Sequence, residues 1–208
     1  MAKIKTLVFG GGEIHDWQGV QPQVVNALSA VDALEITTAQ EDLSILEADN
    51  LSPYDVLVFH YTVGTISDAQ RDGLSKWLAA GKGYVGIHSA ADSFRGDPDY
   101  RNLVGGYFLT HPRYREYQVS IKDPEHPITQ GLDEEFMVTD EQYILDYDPR
   151  VHILANALWE GETMPVAWTK SHGEGRVFYL ALGHDAPACE HPAFRQLLLQ
   201  GTLWAAAS

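Results

Sequence analysis

The stretch Gly83-Tyr84-Val85-Gly86-Ile87-His88-Ser89-Ala90 decides the fold. Its first five residues read as a short buried strand, and the strand stops where polar and small residues begin. Residues 90–94 read as the start of a helix, with Asp92 in its first turn. A strand–turn–helix junction presents the turn side chain at the carboxyl end of a strand, the edge where ligands bind in open α/β sheets. Gly86 and Ala90 flank His88 at the spacing of the sharp turn G-x-S-x-G, whose small neighbours relieve crowding around the central residue. Here the centre is histidine.

Working back from that turn, residues 4–9 form a buried-type strand that enters Gly10-Gly11-Gly12, read as a loop that also holds His15. The glycines do not follow G-x-G-x-x-G, so no nucleotide cofactor is expected. Val24, Val25, Leu28 and Val31 have helical spacing and predict a helix over residues 20–31. Strands follow at 34–38 and 54–59, with a short helix at 42–48 between them and His60-Tyr61 after the second. Ser67 and Gln70 form a capping box, and the helix it starts stops at Gly81. His60 and His88 are thus one βαβ unit apart, and right-handed crossovers put their strand ends on the same side. His15 joins that rim if the first strand is parallel too.

Downstream, residues 99–103 are helical and 114–121 alternate like an exposed edge strand. Residues 126–132 form a turn-rich loop, 136–141 run on towards Tyr143, and strands are expected at 151–155 and 164–168. A hairpin loop at 170–175 leads to a strand at 176–182 that ends in Gly183-His184-Asp185. A helix from Pro192 buries Phe194, Leu197, Leu198, Leu203 and Trp204.

The 208 residues suffice for one domain, 1–208. The net charge is −15, from 14 basic and 29 acidic residues, which argues against nucleic-acid partners and against an anionic membrane. A neutral small molecule is the better partner. No apolar run reaches the roughly 20 residues of a membrane span. No signal-peptide pattern precedes the first strand, and the single cysteine, Cys189, makes no internal disulfide. A cytoplasmic location is expected. A homodimer is expected only so far as residues 98–145 offer an exposed strand edge.

Several pieces together resemble the ThuA-like (trehalose utilisation) family over residues 4–206. They are Gly83-x-x-Gly86-Ile87-His88-Ser89-Ala90-x-Asp92, Gly105-Gly106-x-Phe108 followed by His111-Pro112, and Asp140-Glu141-x-Tyr143. Gly175-Arg176-Val177-Phe178-Tyr179 running into Gly183-His184, and Gly201-x-x-Trp204-Ala205, complete the set. The resemblance implies a flavodoxin-like, class I glutamine amidotransferase-like fold: an α/β three-layer sandwich with a mostly parallel central sheet. Those amidotransferases carry cysteine at the sharp turn and a late His-x-Glu. This chain has His88 at the turn and Gly183-His184-Asp185 late, so no glutaminase activity is expected. The family name implies carbohydrate utilisation.

Two mechanisms fit the residues. In one, His15, His60, His88 and His184 supply ligands for a divalent metal such as zinc, with a carboxylate, and the metal polarises a sugar oxygen. In the other, His88 or His184 is a general acid–base oriented by Asp92, Asp185 or Glu141. The catalytic set is then His88, His184, Asp92 and Glu141, with His60, Tyr61, Ser89, His111, Asp140 and Tyr143 binding substrate. Tyr61, Tyr107, Phe108, Tyr143 and Trp168 are candidates to stack on a sugar ring. His126, His152, His172 and His191 read as structural or exposed, and Cys189 lies on no sharp turn and is rejected as a nucleophile. The function expected is an enzyme acting on a trehalose-type or oxidised sugar. The alternative is a non-catalytic sugar-binding or regulatory protein on the same scaffold.

Overall fold

The computed structural model describes residues 2–207; Met1 and Ser208, the ends of the expected domain, lie outside the described residues. Strand β1 (Ile4–Gly12) is followed by α1 (Trp17–Leu28), β2 (Leu34–Gln40), α2 (Ala48–Leu51), β3 (Val56–Thr62), α3 (Asp68–Ala79) and β4 (Gly83–Ile87). After α4 (Pro98–Val104) come β5 (Gly106–Thr110), β6 (Arg115–Ile121), β7 (Glu135–Asp140) and β8 (Ile144–Tyr147). The chain closes with β9 (His152–Trp159), β10 (Glu162–His172), β11 (Gly175–Leu180), α5 (Ala186–Cys189) and α6 (Pro192–Ala206).

Nine strands form one sheet in the order β2-β1-β3-β4-β11-β10-β9-β6-β7, and β5 pairs with β8 separately. The neighbours from β2 to β11 are parallel. Those from β11 to β7 are antiparallel. The sheet is therefore mixed, not mostly parallel. The mostly parallel sheet is what the resemblance implies, and a strand buried on both faces reads alike in either direction. The hairpin expected at 170–175 is present, its turn at Gly173 (φ 60) joining β10 to β11 antiparallel.

Alternation along the parallel strands builds two cores. Val8, Val58, Val85 and Phe178 meet Val20 and Val24 of α1 and Leu197 and Leu198 of α6. Phe9, Phe59, Tyr84 and Tyr179 meet Leu74, Trp77 and Leu78 of α3 on the opposite face. Burial of this apolar surface, at about 25 cal/mol per Å², is the main stabilising term. Ser67 caps α3 with Gln70 reciprocating.

Local boundaries differ from the sequence reading in instructive ways. Gly10, Gly11 and Gly12 belong to β1, paired with His60, Tyr61 and Thr62. A side chain at Gly10 would meet Trp17 and Gln21 at 3.2–3.3 Å, so the glycines serve close packing, not a loop. His60 and Tyr61 lie inside β3. Helix α1 starts at Trp17, and Val31 packs on the core from outside it. After β4 there is one 3₁₀ turn, His88–Asp92, instead of a continuing helix. Strand β6 is interior, between β9 and β7; its alternation marks a solvated face, and β7 is the edge. Among the described residues, no helix is long and apolar enough to cross a membrane.

Candidate active site

The site is built where the parallel strands end. His88 sits on the turn after β4 with φ 44, a left-handed backbone that costs a non-glycine residue energy. Its neighbours permit the bend: a side chain at Gly86 would come within 3.2 Å of Ala90 and Tyr179. The Tyr179 hydroxyl donates to the His88 carbonyl oxygen at 2.7 Å and anchors the turn to β11. The His88 ring is fully buried, and its Nδ1 lies 2.7 Å from the Ala181 carbonyl. A carbonyl only accepts, so Nδ1 carries the proton and Nε2 keeps its lone pair.

His15 follows β1, with Nδ1 2.9 Å from Thr62 Oγ1 and Nε2 3.3 Å from the Tyr143 hydroxyl. Tyr143 packs against His88 at 4.0 Å between ring centroids, the planes tilted by 33°. His184 follows β11, its ring 5.0 Å from His15 and 5.4 Å from His88. Glu141 follows β7 and lies among them: Oε2 is 3.0 Å from His184 Nδ1, 3.5 Å from His88 Nε2 and 3.8 Å from His15 Nε2. One ligand atom from each of His15, His88, Glu141 and His184 lies within 4.8 Å of the other three. His111 reaches Glu141 Oε1 at 3.5 Å from the half-exposed mouth.

His60 lies beside His15, 6.1 Å between rings, on the face of β3 that also carries Val58 and Thr62. Tyr61 points the other way, into Phe9, Phe59 and Phe94, and is not at the site. Asp92 is also displaced: both its oxygens are held by Arg95 at 2.6–2.7 Å. Asp140 is buried, and its two oxygens accept three backbone N–H bonds. Ser89 is buried beside His88. Trp168 is in the core, its indole N–H donating to the Val104 carbonyl. His172 bonds Ser75, His152 pairs with Asp123, and His126 and His191 accept from nearby backbone N–H groups. Asp185 caps α5.

The family model for ThuA, described as trehalose utilisation, matches residues 5–205. The chain belongs to the ThuA family. A ThuA-like protein from Parabacteroides merdae superposes with a TM-score of 0.89 at 23% identity, covering 99% of this chain and 90% of that one. A second ThuA-like protein, from Bacteroides uniformis, gives 0.82 at 21% identity, covering 100% of this chain and 93% of that one. A cytoplasmic protein from Salmonella typhimurium gives 0.71 at 12% identity, covering 97% and 99% of the two chains. At these identities the likeness establishes the fold. A search of the curated proteins found no match.

Electrostatics set this ThuA centre apart from an ordinary ion-pair cluster. Burial holds the His88 imidazole down at about 4, against the opposing pull of Glu141. Burial and the neighbouring histidines hold His60 well below the usual range. Burial would raise Glu141, but His15, His184 and His88 outweigh it and keep its carboxyl well below the carboxylate range. Burial pushes Asp140 up to about 7, opposed by its backbone donors. Burial would lower His184, but Glu141 and the nearby aspartates outweigh it and raise it. Near neutral pH the centre therefore offers neutral His60 and His88 imidazoles beside the Glu141 carboxylate.

Among the described residues, His60 Nδ1 and Nε2, His88 Nε2, His184 Nδ1 and Ser89 Oγ are buried with no hydrogen-bond partner. The 3.0 Å contact of His184 with Glu141 thus lacks hydrogen-bond direction. Leaving such groups unpaired costs about 1–3 kcal/mol each. Three imidazoles and a carboxylate are the donor types that suit zinc and similar divalent ions. Ligands about 2.0–2.1 Å from one ion lie about 3.4 Å apart in a tetrahedron, close to the separations around Glu141 Oε2. The residues fit a metal.

Sequence reasoning did not find Thr62 or Tyr114. Thr62 orients His15, and its signal was its place two residues after His60 on the same strand face. Tyr114, whose ring lies 5.5 Å from His184 and whose hydroxyl bonds Asp185, carries no comparable signal.

Proposed function

We propose that this ThuA-family chain is an enzyme of carbohydrate utilisation, working on a trehalose-type disaccharide or an oxidised sugar derivative. The observation that carries this reading is the convergence of His15, His88, His184 and Glu141 with orphaned nitrogens facing one point. Family membership supplies the substrate class. His15, His88, His184 and Glu141 would hold a divalent cation. When bound, such a cation polarises a sugar hydroxyl or carbonyl oxygen.

The protein residues define the rest. Ala181 and Thr62 fix the His88 and His15 rings, so both are oriented before a ligand arrives. Glu141 supplies the negative charge. His60, neutral and with both nitrogens free, is placed to accept from or donate to a substrate hydroxyl. Tyr143 offers a ring face beside His88, and His111 marks the solvent side. The strand order β2-β1-β3-β4-β11 supports kinship with flavodoxin-like scaffolds, to which the amidotransferase-like fold is similar and whose ligands sit at the β1/β3 switch point. Histidine at the turn and a buried Cys189 support the absence of glutaminase activity. The acidic surface supports a small neutral partner without nucleic acid or membrane, and the cytoplasmic neighbour supports that location. The free edge of β7 is the surface a homodimer would use.

Elemental analysis of tag-free protein, then turnover of trehalose and keto-disaccharides, tests the reading. Stoichiometric metal and turnover lost in His88→Ala are expected. Sugar binding without turnover under any metal condition would instead favour the non-catalytic reading.

A further inference from the structure

We propose that Asp140 is the positioning residue of this centre, clamping two distant strand ends so that His184 and Glu141 meet. The inference deepens the proposed function and rests on it for the metal. Glu141 follows β7 and His184 follows β11, and β10, β9 and β6 stand between those strands in the sheet. No ladder hydrogen bond runs between β7 and β11. Asp140 joins them directly: Gly183 N–H donates to Oδ2 at 2.7 Å and His184 N–H to Oδ1 at 3.2 Å. The Glu141 N–H also donates to Oδ1, at 2.8 Å. One carboxylate, 1% exposed, thus fixes the backbone of both side chains that touch at 3.0 Å.

The three donors use both oxygens, and asparagine cannot copy this. Its amide nitrogen would face a backbone N–H on one side, while its volume stays the same. Asp140→Asn therefore loses at least one of the three bonds and sets two N–H groups against each other, without opening a cavity. Supporting groups of this kind typically cost 10–100-fold in metal affinity when removed.

The test titrates Co²⁺ into wild type, Asp140→Asn and Leu28→Ala. Leu28 is buried in the last turn of α1, far along the helix from His15, and controls for stability loss alone. The expected result is a 10–100-fold weaker cobalt affinity and a changed visible spectrum in Asp140→Asn only. Wild-type affinity and spectrum in Asp140→Asn would overturn the clamp. Metal-free crystal structures of wild type and Asp140→Asn give the second readout. The His184–Glu141 contact should open in the variant, and an unchanged contact overturns the proposal. If wild type takes up no cobalt, the metal reading fails, and this distance alone decides the clamp.

Discussion

Gly183 is the position where a single methyl group should do most damage to the site. It stands three residues past the end of β11 with φ 103, and the chain turns there for His184 to face Glu141. A Cβ at this point would lie 2.7 Å from Phe194 Cε2 and 3.1 Å from Ile87 Cγ2, both fully buried side chains. Three effects compete in Gly183→Ala. The left-handed backbone costs an L-residue about 1–2 kcal/mol. Forcing a methyl against Phe194 and Ile87 adds about 1–3 kcal/mol, because a packed core yields little. Reduced entropy of the unfolded chain returns about 0.4–1 kcal/mol. The two penalties win, and the net loss is about 1–5 kcal/mol. For a chain of this size that lowers Tm by about 2–20 °C. Urea and thermal denaturation of metal-free protein measure it. An alanine variant as stable as wild type, or more so, would refute the packing and backbone account of this turn.

Two further outcomes follow from the same geometry. Saturating zinc should raise Tm and EDTA should lower it, because an ion at about 100 times its Kd adds about 2.7 kcal/mol, or about 5–11 °C. Glu141→Ala and His15→Ala should lose that response, and a full shift in either would remove that residue from the ligand set. Cys189 is fully buried and burial pushes its thiol up, so iodoacetamide should label it only after unfolding. Rapid labelling of the folded protein would contradict its burial at the end of α5.

The turn at His88 was legible because its information is local. Gly86, His88 and Ala90 carry a strand–turn pattern within five residues, and the left-handed backbone at His88 is the physical form of that pattern. His60 was legible as a site residue, but Thr62 was missed, although β-alternation puts it on the same face as His60 while Tyr61 goes to the aromatic core. Tyr61 and Asp92 were assigned by proximity in sequence, and strand alternation and the Arg95 pair took them elsewhere. The hairpin at 170–175 was legible and makes β10 and β11 antiparallel, but the directions of β6, β7 and β9 left no trace in periodicity, so the extent of the antiparallel half was not legible.

The same limit explains why Glu141 was legible as a residue type but not as a position. The parallel half of the sheet gives three imidazoles, because β1, β4 and β11 all end at one rim. That half alone supplies lone pairs without the anion of the cluster. The carboxylate comes from the antiparallel half, from the end of the outermost strand, across three intervening strands. The bonds from Gly183 and His184 to Asp140, the residue before Glu141, tie that strand end to the end of β11. The antiparallel extension is therefore part of the site. A parallel sheet ending at β11 would keep the histidines and lack the charge that gathers them.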